Sequence, residues 1–274
     1  MMKTLTDIVN EILLIENSYM IEGIDIDDVT KTVSFNSKHE DNVDTSDVIN
    51  PNTDMIGNIP VISIFKRKKS ETTKSDGNPL ISALKGINGW KFKNNTSDII
   101  NLLKQFIKIS NKIKPIYDTI ITVPSNNELN VNFLHRLNKI IKCKYAITDY
   151  MHKLTSDDVY ENYIDWEAIK NDHKTVDKMK NYFISRFKKM DNVNDGIFSY
   201  KYIIPDYRSY IKKTMYSDDE SLINYSDMIN DKDILILDDT ITTGSSVSEV
   251  SKVIMNSFAP NSITIITLFS KAEK

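Results

Sequence analysis

At 274 residues and 31.5 kDa the chain can bury one substantial α/β core and carry an additional subdomain. A formal net charge of −3 with 27% charged residues leaves no global basic field to recruit nucleic acid or an anionic membrane surface. The single cysteine, Cys143, excludes an internal disulfide and a cysteine-based zinc site, and the four histidines show no metal-ligand spacing.

The first residues, Met-Met-Lys-Thr-Leu, lack the apolar core of a secretory signal, and no apolar run approaches the ~18 residues that span a bilayer, so a cytoplasmic protein is expected. Leu5, Ile8, Val9, Ile12, Leu13 and Ile15 form a helical stripe over Thr4 to Asn17. Short alternating runs follow, at Met20 to Ile24, Thr32 to Phe35 and Ile59 to Phe65, and predict a small antiparallel β unit. Lys66-Arg67-Lys68-Lys69 and the polar stretch from Ser70 to Asn78 predict a solvated loop. Helices are expected over Pro79 to Gly89 and Ser97 to Ile113, where apolar residues recur at helical spacing.

Tyr117 to Pro124 predicts a buried strand, followed by a turn of Pro124, Ser125, Asn126 and Asn127 and a helix from Leu129 to Ile141. Lys144 to Ile147 predicts a short strand. Residues 150–215 are polar: a loop is expected over Lys153 to Tyr160, a helix over Trp166 to Phe187, and a strand over Ile197 to Ile204 before the Pro205-Asp206-Tyr207-Arg208 turn. His39, His135, His152 and His173 are isolated and read as surface or packing residues. Trp90 and Trp166 read as structural, and Cys143 as a small buried hydrophobe.

Residues 234–246 carry the most chemistry. Ile234-Leu235-Ile236-Leu237 predicts a strand buried on both faces, Asp238 and Asp239 stand at its carboxyl end, and Thr240 to Ser245 lead into a helix beginning near Ser246. Ligands of open α/β sheets bind beyond the carboxyl ends of strands, where a carboxylate pair can accept two adjacent ribose hydroxyls or hold magnesium through water. Thr242, Thr243, Gly244, Ser245 and Ser246 offer hydroxyls, backbone amides and a helix N-terminus to a phosphate, with Gly244 permitting close approach or positive φ. A cap alone would explain one hydroxyl, but not two carboxylates and four hydroxyls. Ser262 to Phe269 predicts the strand after that helix.

The stretch at 234–246 resembles the phosphoribosyl pyrophosphate (PRPP) motif of type I phosphoribosyltransferases. Pro79-Leu80-Ile81-Ser82-Ala83-Leu84-Lys85-Gly86 and Val123-Pro124-Ser125 are similar to segments of the ComF-like branch of that family. The resemblance implies a parallel sheet flanked by helices in a phosphoribosyltransferase-like core at 76–274, with a polar insertion near 150–215. Residues 1–75 would form a small, mostly β, α+β subdomain serving as hood or interaction module. It also implies ribose contacts from Asp238 and Asp239, with magnesium held only indirectly by that pair. The 5-phosphate would be met by Thr242, Thr243, Gly244, Ser245 and Ser246, with Thr240 also among the PRPP-binding residues, and pyrophosphate by a loop of Pro124, Ser125 and Asn126, although the basic, Gly-containing continuation usual in that branch is replaced by Asn126, Asn127 and Glu128. A basic catalytic loop is implied between the second and third core strands. Its candidates are Lys153, Arg186 and Arg208, with Arg208 favoured because it follows an apolar run and a Pro turn.

In 6-oxopurine members an Asp stands where this chain has Thr242, and a neutral hydroxyl cannot serve as that base, which argues against hypoxanthine-guanine salvage. The expected activity is displacement of pyrophosphate from ribose C1 by an unidentified base or amine. The expected partners are PRPP or a ribose-5-phosphate-containing nucleotide and a second copy of the chain, with no nucleic acid and no membrane. The alternative is a non-catalytic PRPP- or nucleotide-binding regulator or scaffold on the same fold. The absence of a Gly-x-x-x-x-Gly-Lys-Ser/Thr segment argues against a P-loop kinase or hydrolase.

Overall fold

A computed structural model of the protein describes residues 23–36, 42–68, 78–113, 116–125, 128–172, 175–193 and 195–272. The helix expected over Thr4 to Asn17, most of the run at Met20, His39, His173 and the loop residues Asn126 and Asn127 lie outside the described residues. Among the described residues, no helix is long and apolar enough to cross a membrane.

The elements in chain order begin with strands β1 (Gly23–Asp27), β2 (Thr32–Asn36), β3 (Val43–Asp44), β4 (Asn52–Ile56) and β5 (Ile59–Arg67). Helix α1 (Asn78–Lys85), strand β6 (Lys91–Phe92), helix α2 (Asn95–Ser110), strand β7 (Thr119–Thr122), helix α3 (Leu129–Ile141) and strand β8 (Tyr145–Ile147) follow. The next segment holds β9 (His152–Lys153), helices α4 (Ser156–Asn162), α5 (Trp166–Asn171) and α6 (Val176–Val193), and β10 (Met215–Tyr216). Helices α7 (Asp219–Asn224) and α8 (Ser226–Ile229) then lead to β11 (Asp233–Thr240), α9 (Ser245–Ser257) and β12 (Ser262–Phe269).

Ile234-Leu235-Ile236-Leu237 has no polar side to turn to water, and β11 runs through the middle of a seven-stranded sheet of order β3-β5-β12-β11-β7-β8, with β4 also on β5. Strands β5, β12, β11, β7 and β8 are parallel to their neighbours, whereas β3 and β4 run antiparallel to β5. The sheet is therefore mixed, not purely parallel. The two-residue period of β11 divides its side chains: Leu235 and Leu237 join Leu80, Leu102, Phe106 and Phe133 on one face, and Ile234 and Ile236 join Val247, Val250 and Ile254 on the other. Helices thus cover both faces, and truncating one of these side chains, as in Leu235→Ala, would cost about 2–5 kcal/mol.

Ile59 to Phe65 departs from the expected separate β unit. Val61, Ile62, Ser63 and Phe65 pair in parallel with Ile265 to Phe269 of β12, while the other edge of β5 carries β4 and β3. Burial on both faces explains this, since Ile64 and Phe65 have no exposed surface.

The segment at 150–215 also departs from expectation. Thr155 and Asp158 form a capping box that starts α4 where a loop is expected. The helix expected from Trp166 to Phe187 is two helices, α5 and α6. Ile197 to Ile204 makes only an isolated bridge to Thr155 and a 3-10 turn at Tyr200–Tyr202, because Phe198 and Ile203 turn into a separate apolar core with Val159, Ile169, Phe183 and Phe187. A sequence polar on average thus has its own core, and β9 pairs antiparallel with β10 in the same segment.

Candidate functional site at the carboxyl end of β11

Beyond Asp239 the chain turns into α9 through Gly244, whose φ of 77° and ψ of 7° lie in the left-handed region. A Cβ there would stand 2.7 Å from Ile56 Cδ1, so this turn needs glycine for its conformation and for the close approach of β4. Thr243 Oγ1 and Ser245 Oγ share a hydrogen bond of 2.8 Å, and Arg208 Nη1 lies 3.4 Å from both Thr242 Oγ1 and Thr243 Oγ1. Arg208 is held from behind: Nε donates to the Ile203 carbonyl at 3.1 Å, and the guanidinium stacks 5.8 Å over Tyr200. These groups, with Asp238, Thr240, Ser245 and Ser246, enclose a depression of about 40 Å³. Hydroxyls, an arginine and the first amides of a 13-residue helix meeting at one concavity suit a tetrahedral anion.

The acidic pair sits beside it. Asp239 is 6% exposed, and its Oδ2 forms an ion pair with Lys85 Nζ. Helix α1 delivers that lysine as its last residue, because Gly86 turns left-handed at φ 63° and ends the helix there. Asp238 Oδ1 accepts hydrogen bonds from Asn130 Nδ2 at 3.2 Å and from the Asp239 amide at 2.9 Å. Burial and, second, the charge of Asp239 push the Asp238 carboxyl well above the usual carboxylate range against those donors and Lys85. Lys153 approaches from β9: burial pulls its ammonium below the usual lysine range, while the charge of Asp238 pulls it back up. Two carboxylates and two ammonium groups therefore share one partly desolvated cluster.

A cleft of about 400 Å³ opens next to this cluster, lined by Thr122 to Ser125, Asn130, Asp149, His152, Lys153 and Ile197 among others. Pro124 and Ser125 form one wall. His152 Nε2 lies 3.6 Å from Asp218 Oδ2, and Asp149 accepts a 2.5 Å hydrogen bond from Tyr225. Asp238 connects the two concavities, since it borders the depression while Asn130, its hydrogen-bond partner, and Lys153 line the cleft.

Sequence reasoning named Asp238, Asp239, Thr240, Thr242, Thr243, Gly244, Ser245, Ser246, Arg208, Lys153, Pro124 and Ser125, and the fold brings these residues into this one region. Asn126 lies outside the described residues. Arg186 is on α6, stacked over Tyr182. Lys85, Asn130 and Arg67 were not singled out. Lys85 falls inside the 79–86 segment with no role of its own, Asn130 carries no motif, and Arg67 belongs to a basic run that predicts a solvated loop. Arg67 is instead 1% exposed, and donates from Nε to the Ser270 carbonyl at 2.6 Å and from Nη2 to the Ile241 carbonyl at 3.2 Å, beneath the turn that follows the acidic pair.

Among the described residues no group of three or more His, Cys, Asp or Glu side chains could hold a metal ion. A search against protein-family models finds none that matches this chain, and a search of curated proteins finds no match either.

Proposed function

We propose that the protein recognises PRPP in the manner of a type I phosphoribosyltransferase and transfers its phosphoribosyl group to a nitrogen acceptor. The observation that carries this reading is the meeting of Arg208 with Thr242 and Thr243 directly beyond the paired carboxylates Asp238 and Asp239. A lone phosphate site would need no acidic pair, and a lone cation site would need no arginine-backed hydroxyl loop. A sugar phosphate satisfies both.

In this reading the 5-phosphate occupies the depression formed by Thr242 to Ser246 with Arg208. Asp238 and Asp239 accept from the ribose hydroxyls, and the diphosphate and acceptor share the cleft beside Pro124, Ser125 and Lys153. Displacement breaks the bond from ribose C1 to the diphosphate oxygen, whose electron pair leaves with the diphosphate, and the acceptor lone pair forms the new bond to C1. Positive charge developing on the sugar is stabilised by the carboxylates, and negative charge on the leaving group by Lys153.

A magnesium ion held directly by the acidic pair does not fit these residues. Asp239 is engaged by Lys85, and Asp238 by Asn130 and a backbone amide, so we assign both to the sugar and leave magnesium to the diphosphate of the ligand.

Calorimetry with PRPP in magnesium-containing buffer tests the ligand, with binding expected for wild type and lost in Asp238→Ala plus Asp239→Ala. Absence of binding by wild type would sink the assignment. Diphosphate release on adding candidate nucleobases and small amines then tests transfer; binding without release for any acceptor would favour a regulatory role.

A further inference from the structure

A carboxylate pair at a sugar-phosphate site is the place where a protein would be expected to hold a divalent cation of its own, yet here the position is already taken. Lys85 Nζ contacts Asp239 Oδ2 with both side chains largely buried, 16% and 8% exposed. Asp238 Oδ1 is occupied by Asn130 Nδ2 and the Asp239 amide. Lys153, half-buried, sets a second ammonium within the field of both carboxylates. Two ammonium groups face the acidic pair, so little net negative charge remains to repay the dehydration of a magnesium ion.

We propose that Lys85 is the built-in counter-ion of the acidic pair: its ammonium fills the face of Asp239 that a divalent cation would need, so the ligand-free protein takes up no magnesium of its own. Lys85 is then a positioning residue. It neutralises Asp239, locks one carboxylate oxygen and leaves the other for a hydroxyl donor. The location is specific, because Lys85 stands at the end of α1, fixed by the left-handed turn at Gly86, where the helix dipole also favours a cation. Magnesium bound to a diphosphate can still enter with its ligand, since it requires no coordination site on Asp239. The proposal rests on the ribose-phosphate reading only for the identity of that ligand.

Titration of wild-type protein with magnesium chloride alone, by calorimetry, is expected to show no binding up to millimolar concentration. Lys85→Met is expected to gain magnesium affinity by about tenfold or more, as a carboxylate pair that has lost its direct ion-pair partner on Asp239 would. That gain should vanish in Lys85→Met plus Asp239→Asn. Lys85→Gln carries the same titration if circular dichroism shows Lys85→Met to be unfolded. Submillimolar magnesium binding by wild type, or no gain in a folded Lys85 variant, would overturn the proposal. The PRPP titration is a separate arm: a gain of magnesium affinity with no PRPP binding by wild type keeps the counter-ion and sinks the ligand, and PRPP binding with no gain does the reverse.

Discussion

Asn130 donates from Nδ2 to Asp238 Oδ1 at 3.2 Å and to the Val123 carbonyl at 3.0 Å, tying the loop after β7 to the carboxyl end of β11. The donor does not suffice to keep Asp238 at its ordinary acidity, because burial and the neighbouring charge of Asp239 outweigh it. The folded protein therefore holds the Asp238 proton more tightly than the unfolded chain does. Stability falls as pH rises from the ordinary value of 3.8 toward the raised one, and stays reduced above it. Asp238→Asn should remove this cost. Thermal melts at about pH 4 and pH 8 should show the variant gaining about 1–3 kcal/mol over wild type at the higher pH and little at the lower, while PRPP binding is lost. An equal difference at both pH values would contradict the assignment.

Gly244 is constrained twice, by its φ of 77° and by Ile56 Cδ1 at 2.7 Å from where a Cβ would sit. Gly244→Ala is expected to destabilise the protein by about 1–3 kcal/mol and to weaken phosphate binding, as α9 and its amides shift. Adding Ile56→Val removes the clashing methyl but not the backbone strain, so denaturant melts of the double variant should recover only part of the loss. Full recovery would show that the left-handed turn contributes nothing.

Arg208 reaches the hydroxyl loop from outside the main sheet, so its removal separates ligand affinity from folding. Arg208→Ala should reduce PRPP affinity tenfold or more, with loss of about 1.5–3 kcal/mol of charge-assisted hydrogen bonding, and change the melting temperature little. Arg208→Lys should restore part of the affinity, since the charge returns without the planar fork. Binding unchanged in both variants would remove Arg208 from the site.

Glu249 of α9 grips the base of the segment that carries Arg208. Its carboxylate accepts from the Thr214 amide and hydroxyl at 2.5 Å each and from the Met215 amide at 2.8 Å. Glu249→Gln leaves one oxygen unable to accept as before and should cost about 1–2 kcal/mol. Hydrogen exchange should quicken at Phe198 to Tyr216 before it quickens in β11, because the apolar core there is separate from the sheet.

What was legible in the sequence follows from where local pattern and tertiary environment agree. Ile234 to Asp239 is unambiguous, since four aliphatics buried on both faces lead straight into two carboxylates at the carboxyl end of the same strand, and the hydroxyl loop stands next to it in the chain. Leu129–Ile141 and Ser262–Phe269 form the helix and strand that their periodicities predict. Ile197 to Ile204 misled because its apolar residues serve a core made by distant helices, so their spacing has no strand period to report. Lys85 and Asn130 were illegible for another reason: a lysine ending a helix and an asparagine in a first turn look like solvent-facing residues until the fold brings Asp239 and Asp238 to them.

Arg67 makes the same point from the opposite side, since a run of four basic residues predicts solvation and the fold buries one of them. It occupies the last position of β5, where strand alternation turns it inward, and the carbonyls of Ile241 and Ser270 accept its hydrogen bonds. Removing the guanidinium leaves two backbone acceptors without that donor beneath the turn that follows the acidic pair. Arg67→Met, close to isosteric along its stem, should cost about 2–5 kcal/mol in denaturant unfolding. Because Ile241 leads directly into Thr242 and Thr243, affinity for inorganic phosphate should fall as well. Lys66→Met is the control, since it removes the same charge from the neighbouring position, which strand alternation turns to the opposite face. Equal effects from the two substitutions would show that net charge, rather than the buried contacts of Arg67, supports the loop.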